Sequence, residues 1–301
     1  MDLIKEPDNC WGGSWTEQKL KAFEAYVNAY LTIMLKQKTK FNGWPNLIYF
    51  DGFAGNGQNY ISEKGDIKSN DFAIEFENDE EQKVYKGSAE RVLSLNKKFD
   101  EYYFIDIEKT SIEQLKSRLN QKFNLNNKCH FINGDVNEIL KSFSNKFSHK
   151  DAALILLDPF GMNINWDSIF SLKDKRVDLW ILVPSGVIVN RLLDKKGELK
   201  CIKKLEEFFG LDEQKIKSIF YEKKQTINLF GTEEKTEKID NPIKRIAEIY
   251  VHKLKTIFKH VTENPLVLLN SKNVPIYHFV FASNNKKAEE IASQIIQKKQ
   301  K

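Results

Sequence analysis

The sequence predicts an α/β protein with a mostly parallel sheet, helices on both of its faces and an antiparallel last strand. Two observations lead to this fold. Short apolar runs alternate with segments of helical periodicity, and glycines and aspartates stand where the apolar runs end. The chain of 301 residues suffices for one large or two modest domains. Its three widely spaced cysteines and the lack of a long apolar run predict a soluble, cytoplasmic protein with no membrane span.

A helix is the first predicted element. Ser14-Trp15-Thr16-Glu17 has the S/T-x-x-E form of a capping box, and apolar residues then recur at helical spacing to about Lys38. We expect residues 1–45 to form an N-terminal helical segment that packs on the core. The alternative is a partner-binding face, because aromatic residues dominate both cores and interfaces.

Strands and helices then alternate, which indicates a cofactor-binding domain of residues 46–189 and 261–301. The polar stretch 58–86 interrupts it as an insertion, and a cover that closes over a ligand is one hypothesis for that stretch. Residues 190–260 are Lys-rich and predict a helical insertion. The predicted strands are 47–50, 101–107, 129–133, 152–157, 177–183, 265–269 and 276–282, and the predicted core helices are 87–96, 110–122, 136–143 and 286–297.

Aspartates follow four of the first five predicted strands, and no Lys or Arg does. Ligands of open parallel sheets bind at the carboxyl ends of the strands, so these residues predict the character of the ligand. The first strand ends in Asp51-Gly52-Phe53-Ala54-Gly55-Asn56-Gly57, where glycines allow a close approach of the backbone to a ligand. The next three end at Asp106, Asp135 and Asp158.

This acidic edge would repel a phosphate and favours a cation. S-adenosylmethionine fits, since it carries an ammonium group, a sulfonium, two ribose hydroxyls and an adenine amine. The first turn also lacks the Lys-Ser/Thr of a P-loop and the third glycine of G-x-G-x-x-G, which counts against a nicotinamide-dependent oxidoreductase. Each aspartate taken alone has another explanation, because Asp51 suits a tight turn and Asp106 or Asp135 suits a helix cap.

Four motifs carry a resemblance to a known family: Trp15-Thr16-Glu17-Gln18-Lys19, Tyr49-Phe50-Asp51-Gly52-Phe53-Ala54-Gly55, Leu157-Asp158-Pro159-Phe160-Gly161 and Ile276-Tyr277-His278-Phe279-Val280-Phe281-Ala282-Ser283. With them the sequence resembles the class I S-adenosylmethionine-dependent methyltransferases. More narrowly, it resembles the three-Cys-motif partner (TcmP) family of bacterial proteins. The resemblance covers most of the chain and implies a Rossmann-like methyltransferase sheet.

The resemblance also implies roles for single residues. Asp51 would face the methionine ammonium of the cofactor, Asp106 the ribose hydroxyls, with Glu108 as its alternative, and Asp135 the adenine amine. The 55 residues from Asp51 to Asp106 exceed the usual spacing, and the insertion 58–86 accounts for the excess. The cofactor-binding residues implied in this way are Asp51, Gly52, Phe53, Gly55, Gly57, Asp106 and Asp135.

By the same resemblance, the residues that bind the methyl acceptor would lie at the end of the fourth predicted strand. Amino-methyltransferases of this type carry Asp/Asn-Pro-Pro-aromatic, whose acidic side chain and proline carbonyl accept hydrogen bonds from an exocyclic amine. Asp158, Pro159 and Phe160 are the matching catalytic residues here. The second proline is missing and the aromatic residue comes one position early, which leaves the methyl acceptor open. A plain Asp-Pro turn is the structural alternative.

Charge suggests the partner. Residues 191–260 hold 17 basic and 12 acidic side chains, so this segment carries the whole net charge of +5. A nucleic-acid substrate bound through 191–260 is one interpretation, and a solvated helical face with mixed charges is the other. No metal-ligand spacing is present, and His278 in an alternating strand predicts a hydrogen-bonded sheet residue.

These observations favour an S-adenosylmethionine-dependent methyltransferase of the TcmP type that acts on nucleic acid. The alternative is a non-catalytic protein with the methyltransferase fold, which serves as the partner protein in a two-component bacterial system.

Overall fold

The computed structural model describes residues 14–59, 85–159, 161–228 and 231–300. Its core is an eight-stranded sheet in the order β10-β12-β7-β6-β1-β4-β5, with β11 paired to β12. Two further pairs of strands, β2 with β3 and β8 with β9, lie outside this sheet. The strands are β1 (Asn46–Asp51), β2 (Gln58–Asn59), β3 (Tyr85–Lys86), β4 (Glu101–Asp106), β5 (Cys129–Asn133), β6 (Asp151–Leu157), β7 (Val177–Val183), β8 (Tyr221–Asn228), β9 (Gly231–Lys238), β10 (His260–Val261), β11 (Leu266–Leu269) and β12 (Pro275–Ser283).

The five strands that are neighbours in the order β7-β6-β1-β4-β5 run parallel, whereas β12 runs antiparallel to β7. The predicted fold class and its antiparallel last strand are thereby confirmed. Short 3-10 and π-helical turns stand at Asn126–Lys128 and Ser185–Val189. The helices are α1 (Ser14–Lys40), α2 (Ser88–Ser94), α3 (Lys109–Lys122), α4 (Val136–Lys146), α5 (Trp166–Phe170), α6 (Asn190–Leu192), α7 (Ile202–Phe209), α8 (Glu213–Phe220), α9 (Pro242–Leu254) and α10 (Lys286–Gln300).

The central strands are apolar because both faces of the sheet are covered. All of β1 after Asn46 is buried, as is all of β6 after Asp151. One face packs against α1, α3 and α10 and the other against α4, α7 and α9, so side chains of the same strand alternate between two apolar clusters. This packing explains why continuous apolar runs, and not alternating ones, predicted the strands.

The aromatic face of α1 packs on the sheet beside β7 and β12. The rings of Tyr26 and Phe281 lie 4.7 Å apart, and those of Tyr26 and Trp180 lie 5.5 Å apart. The hydroxyl of Tyr26 donates a hydrogen bond to Asp178 Oδ2 at 2.7 Å. Asp178 Oδ1 accepts another from Ser283 at 2.5 Å, so this carboxylate near the amino end of β7 joins one helix to two strands.

The helical prediction for 190–260 is incomplete. Helices α6 to α9 lie in this segment, but residues 221–238 form the antiparallel hairpin of β8 and β9. Almost every side chain of these strands is polar, so neither strand shows the apolar alternation that reveals a half-buried strand. Their backbone ladder, which pairs Tyr221 with Lys238 through Asn228 with Gly231, holds the hairpin instead.

The insertion predicted at 58–86 is described only at its two ends, where Gln58–Asn59 pairs with Tyr85–Lys86. The hypothesis that it closes over a ligand concerns residues 60–84, which lie outside the described residues. Among the helices that the structure does describe, none is long and apolar enough to cross a membrane.

We expect Tyr26→Phe to lower the free energy of unfolding by about 2 kcal/mol at pH 7, because a hydrogen bond to a charged acceptor is lost. Burial raises the pKa of Asp178 to about 6. Below that pH the carboxyl becomes neutral, and the cost of the substitution should fall towards about 1 kcal/mol. Urea denaturation at pH 7 and pH 5 measures both values. The control is Tyr103→Phe, which removes a 2.9 Å hydrogen bond to the partly exposed Glu101; equal losses in the two variants would contradict the prediction.

Candidate functional site at the carboxyl edge of the sheet

The predicted site residues come from adjacent strands that end at one edge of the sheet. Asp51 stands opposite Leu156 of β6 and Phe104 of β4. Asp106 ends β4, whose neighbour β5 is followed by Asp135, and Asp158 follows β6 directly. The parallel register therefore brings the four predicted aspartates to the same edge.

Asp51 is a fully buried carboxylate with one oxygen left over. Its Oδ2 accepts hydrogen bonds from Tyr49 at 2.9 Å and from Ser88 at 2.6 Å. Its Oδ1 is buried and has no hydrogen-bond partner among the described residues. Burial raises the pKa of Asp51 to about 6; the hydrogen bonds from Ser88 and Tyr49 and the nearby Phe53 N–H lower this pKa, and the nearby charge of Asp158 raises it. Such an oxygen suits a donor from outside the chain, above all a cation.

The turn after β1 joins this strand end to the next. The backbone N–H of Gly55 donates to Asp106 Oδ2 at 2.8 Å. Gly55 has a φ of +58°, and among the described residues a side chain there would meet no atom closer than Gly57 N at 3.9 Å. Gly57 is glycine for another reason, because its φ is +71° and a Cβ there would also lie 2.5 Å from Leu115 Cδ1. The open surface over Gly55 is where a ligand could lie against the backbone.

Gly52 and Phe53 have a packing role in this turn. The N–H of Gly52 donates to Leu156 O at 2.9 Å, and a Cβ at Gly52 would lie 2.7 Å from the Leu157 side chain. Phe53 is partly buried against the second apolar cluster. Both residues thus fix the turn that carries Gly55.

Asp106 retains acceptor capacity. Its Oδ2 accepts from Gly55, and its Oδ1 accepts from the N–H of Glu108 at 2.8 Å. A carboxylate offers about four lone-pair sites, so two remain for ligand hydroxyls, while burial raises the pKa of this carboxyl. Its neighbour Ile107 is 61% exposed, an apolar side chain at this edge of the sheet that the sequence analysis did not single out. The exposed Glu108 contributes its backbone to this turn.

Asp135 caps α4, as its alternative explanation predicted. Its Oδ1 accepts from the N–H of Asn137 at 2.8 Å and from Asn137 Nδ2 at 3.0 Å. The side chain of Asp135 is exposed, and its Oδ2 takes no part in these bonds. Capping therefore leaves Oδ2 available as a hydrogen-bond acceptor. Asn137 also donates to Asn163 O at 3.0 Å and accepts from Asn165 N at 2.8 Å. It thereby ties this strand end to the segment after β6.

Asp158 does not stand alone, because Lys19 of α1 forms an ion pair with it. Lys19 is only 4% exposed, and its Nζ lies 5.4 Å from the centroid of the Trp15 ring. Trp15 in turn lies 4.9 Å from the ring of Tyr277 in β12. Pro159 is buried, and Phe160 lies outside the described residues. The first turns of α1 therefore reach the predicted reaction centre.

A buried pair of polar side chains lies just after the end of β7. Ser185 Oγ and His278 Nδ1 lie 2.6 Å apart. Burial lowers the pKa of His278 to about 4, so the ring is neutral at pH 7. The prediction of a hydrogen-bonded sheet histidine is confirmed. Within the part of the chain that the structure describes, no group of three or more His, Cys, Asp or Glu residues could hold a metal ion.

No protein-family model matches this sequence, and no curated protein is significantly similar to it. Similar solved structures include a Legionella pneumophila protein, with 15% identity over 89% of this chain and 97% of that one and a TM-score of 0.39. A Listeria monocytogenes protein assigned as an S-adenosylmethionine-dependent methyltransferase is 9% identical over 80% of this chain and 92% of its own, with a TM-score of 0.36. The methyltransferase domain of a bacterial Hen1 protein is 11% identical over 71% of this chain and 100% of its own, with a TM-score of 0.26.

These likenesses are remote, and nothing about activity follows from them. The fold follows from the order and the direction of the strands in the sheet. A sheet in the order β12-β7-β6-β1-β4-β5, with β12 reversed, is the Rossmann-like methyltransferase sheet that the sequence predicted. The chain therefore has the fold of the class I methyltransferases.

We expect Lys19→Met to lower the free energy of unfolding by about 3 kcal/mol, because it leaves Asp158 unpaired in a mostly buried place. Asp158→Asn leaves Lys19 unpaired and should cost a similar amount. The double variant should cost at least about 1 kcal/mol less than the sum of the two. Urea denaturation of the four proteins measures this coupling. The exposed pair of Lys255 and Glu263 is the control, with an expected coupling below about 1 kcal/mol; additive losses at Lys19 and Asp158 would refute the ion pair.

Proposed function

We propose that the protein is an S-adenosylmethionine-dependent methyltransferase. One observation carries the proposal: the fully buried Asp51 has an unpartnered oxygen at the start of a glycine turn. A donor from outside the chain satisfies that oxygen, and the α-ammonium group of the cofactor is such a donor. Asp106 and Asp135 at the next two strand ends support the same ligand, because they offer acceptors for its hydroxyls and its amine.

In this proposal each strand end binds a different group of the cofactor. Asp51 binds the ammonium group, and the free lone pairs of Asp106 accept the two ribose hydroxyls. The exposed Ile107 covers one face of the adenine ring, while Asp135 Oδ2 accepts from the adenine amine. The open backbone at Gly55 lets the ligand approach closely. The bound cofactor would supply an electrophilic methyl group on its sulfonium sulfur.

The chain's own contribution to methyl transfer is positioning. Lys19 holds Asp158 Oδ2, which leaves Asp158 Oδ1 and the Pro159 carbonyl to accept N–H groups from an acceptor amine. These two acceptors orient the nitrogen lone pair and raise its electron density, and alignment of this kind supplies much of the rate in transfer reactions. Phe160 follows in the chain and is proposed to stack on a planar acceptor.

A nucleic acid is the proposed acceptor, and the positive charge of 191–260 supports it. The assignment to the TcmP type rests on the sequence motifs. One observation favours the alternative of a non-catalytic partner protein in a two-component bacterial system: Lys19 already occupies one oxygen of Asp158. Cofactor binding without methyl transfer to RNA, DNA or protein, tested with tritiated S-adenosylmethionine, would decide for that alternative.

We expect calorimetry to detect binding of S-adenosylmethionine and of S-adenosylhomocysteine, which share the ammonium, ribose and adenine groups. Asp51→Asn and Asp106→Asn should each weaken binding at least tenfold, because each removes a charge-assisted contact worth about 1.5–3 kcal/mol. The matched control is Asp178→Asn, since Asp178 also has a pKa of about 6 but lies near the amino end of β7. The proposal fails if wild type binds neither compound, or if Asp178→Asn weakens binding as much as Asp51→Asn.

Binding should also depend on pH in one direction. With a pKa of about 6, the Asp51 carboxyl takes up a proton as the pH falls from 7 to 5, and that proton must leave before the ammonium can bind. The affinity should therefore fall by up to about tenfold per pH unit below pH 6. Asp51→Asn should abolish this dependence, whereas Asp178→Asn should retain it. An affinity that rises towards pH 5 would overturn the role given to Asp51.

A further inference from the structure

The positive charge of the insertion is distributed unevenly. Residues 191–204 hold six basic and two acidic side chains, and residues 241–260 hold five basic and one acidic. The hairpin 221–238 is neutral, with four of each sign. A polyanion would thus be attracted by 191–204 or by 241–260, and the state of the cations in each segment decides between them.

Most cations of 241–260 are already engaged within the protein. Lys244 and Arg245 both pair with Glu248, and Lys255 pairs with Glu263 at 3.0 Å. Lys253 donates to Gly210 O at 2.9 Å. Four of the five cations are therefore held in contacts within the protein, while Glu248 and Glu263 neutralise only two of the five charges.

The hairpin lysines are compensated in the same way. Lys223 pairs with Glu234 at 2.9 Å. Lys224 lies between Glu222 and Glu237, at 3.1 and 3.2 Å. The hairpin therefore has no net positive charge that would attract a polyanion.

The six cations of 191–204 differ from these. All six are exposed, and none forms an ion pair with any residue that the structure describes. We call residues 191–204 the basic loop. Its cations are Arg191, Lys195, Lys196, Lys200, Lys203 and Lys204.

An internal hydrogen-bond network fixes the shape of the basic loop. Asp194 Oδ1 accepts from the backbone N–H groups of Lys196 and Gly197, and Oδ2 accepts from that of Leu199, all at 2.7 Å. Leu199 is 2% exposed and has a φ of +40°. A leucine keeps such a backbone conformation only where its surroundings enforce it. The Asp194 side chain is thus occupied within the loop, while the lysines and Glu198 are exposed.

The base of the hairpin fastens the basic loop from the other side. Lys238 Nζ donates to Asn190 O at 2.6 Å and to Leu193 O at 2.5 Å. Tyr221 donates to Asp194 O at 2.8 Å. A cation array on a fixed backbone loses less entropy on binding than one on a free chain.

The basic loop begins close to the proposed reaction centre. Gly161 stands three residues after Asp158, and a Cβ there would lie 3.2 Å from Ile188 Cδ1 in the π-helical turn after β7. Arg191 follows Ile188 by three residues, which limits the Cα separation to about 10 Å. The first residue of the loop therefore lies within about 10 Å of the turn that packs on Gly161.

We propose that the basic loop binds the phosphodiester backbone of a nucleic acid and holds it beside the carboxyl edge of the sheet. The inference deepens the proposed function and rests on it for the role of the bound strand. A lipid surface fits less well: Leu193 and Leu199 are 1% and 2% exposed, and Leu192 and Ile202 are partly buried against the second apolar cluster, so the loop has no fully exposed leucine or isoleucine to insert into a bilayer. The six exposed cations are spread along one segment, as binding to successive phosphates of a nucleic-acid backbone requires.

The test is fluorescence anisotropy with a labelled 30-nucleotide RNA and its DNA counterpart, each single-stranded and duplex, between 50 and 200 mM salt. If all six cations meet phosphates of a single strand, the slope of log K against log salt is about −4. The variant Lys200→Gln/Lys203→Gln/Lys204→Gln should bind at least tenfold more weakly at 50 mM salt. Its slope should fall to about −2.

The matched control is Lys223→Gln/Lys224→Gln/Lys235→Gln in the hairpin, which changes the net charge by the same amount. It should keep the wild-type slope, since its lysines are already paired. Equal losses in the two triple variants would show that only net charge matters and would overturn the proposal. So would the absence of nucleic-acid binding by wild type, or loop-dependent binding to phosphatidylserine vesicles alone.

Calorimetry of the basic-loop variant separates this proposal from the proposed function. Its affinity for S-adenosylmethionine should match that of wild type, because no loop cation belongs to the cofactor site. Loop-dependent nucleic-acid binding by a protein that does not bind the cofactor would support the loop and refute the methyltransferase. Cofactor binding without any nucleic-acid binding would refute the loop and leave the methyltransferase standing.

Discussion

The constraint on which the site depends is the burial of β1 on both faces. Helices cover both faces of the sheet, so a central strand is shielded from water. In β1 this burial extends to the last residue, Asp51. A buried carboxylate is costly unless donors surround it. Tyr49 and Ser88 satisfy one of its oxygens, and the other remains unsatisfied. This buried oxygen lies at the carboxyl edge of the sheet, where the proposed cationic ligand would bind.

The same constraint explains why α1 belongs to the site as well as to the core. Asp158 lies near enough to Asp51 to raise its pKa, so two carboxylates share a poorly hydrated edge. The Lys19 ammonium provides the compensating charge. Its position depends on the packing of α1, which the contacts of Tyr26 with Phe281 and Asp178 secure at the far end of the sheet. Helix packing and site electrostatics are therefore coupled.

Local patterns predicted seven of the eight strands of the central sheet, the reversed final strand and the aspartates at the strand ends, because burial and turn formation depend on neighbouring residues; the two-residue β10 was too short to show such a pattern. The ion pair between Lys19 and Asp158 joins residues 139 positions apart, and no local pattern contains the orientation of a helix on a sheet. One weak signal existed, since Trp15 and Lys19 are four residues apart and share a helix face. The β8–β9 hairpin escaped prediction because Glu222, Lys224 and their neighbours leave neither strand an apolar face.

The distribution of charge in this chain also resolves an apparent conflict between its two proposed ligands. An edge that carries Asp51, Asp106 and Asp135 attracts the cationic cofactor but repels phosphate. A nucleic acid can use such a site only if its backbone is held to one side and a neutral base alone enters the cleft. Fixed cations in the basic loop meet that requirement, because the loop starts within about 10 Å of the turn that contacts Gly161. Enzymes that modify bases separate base from backbone in this manner, and the proposed role of the basic loop is the same separation.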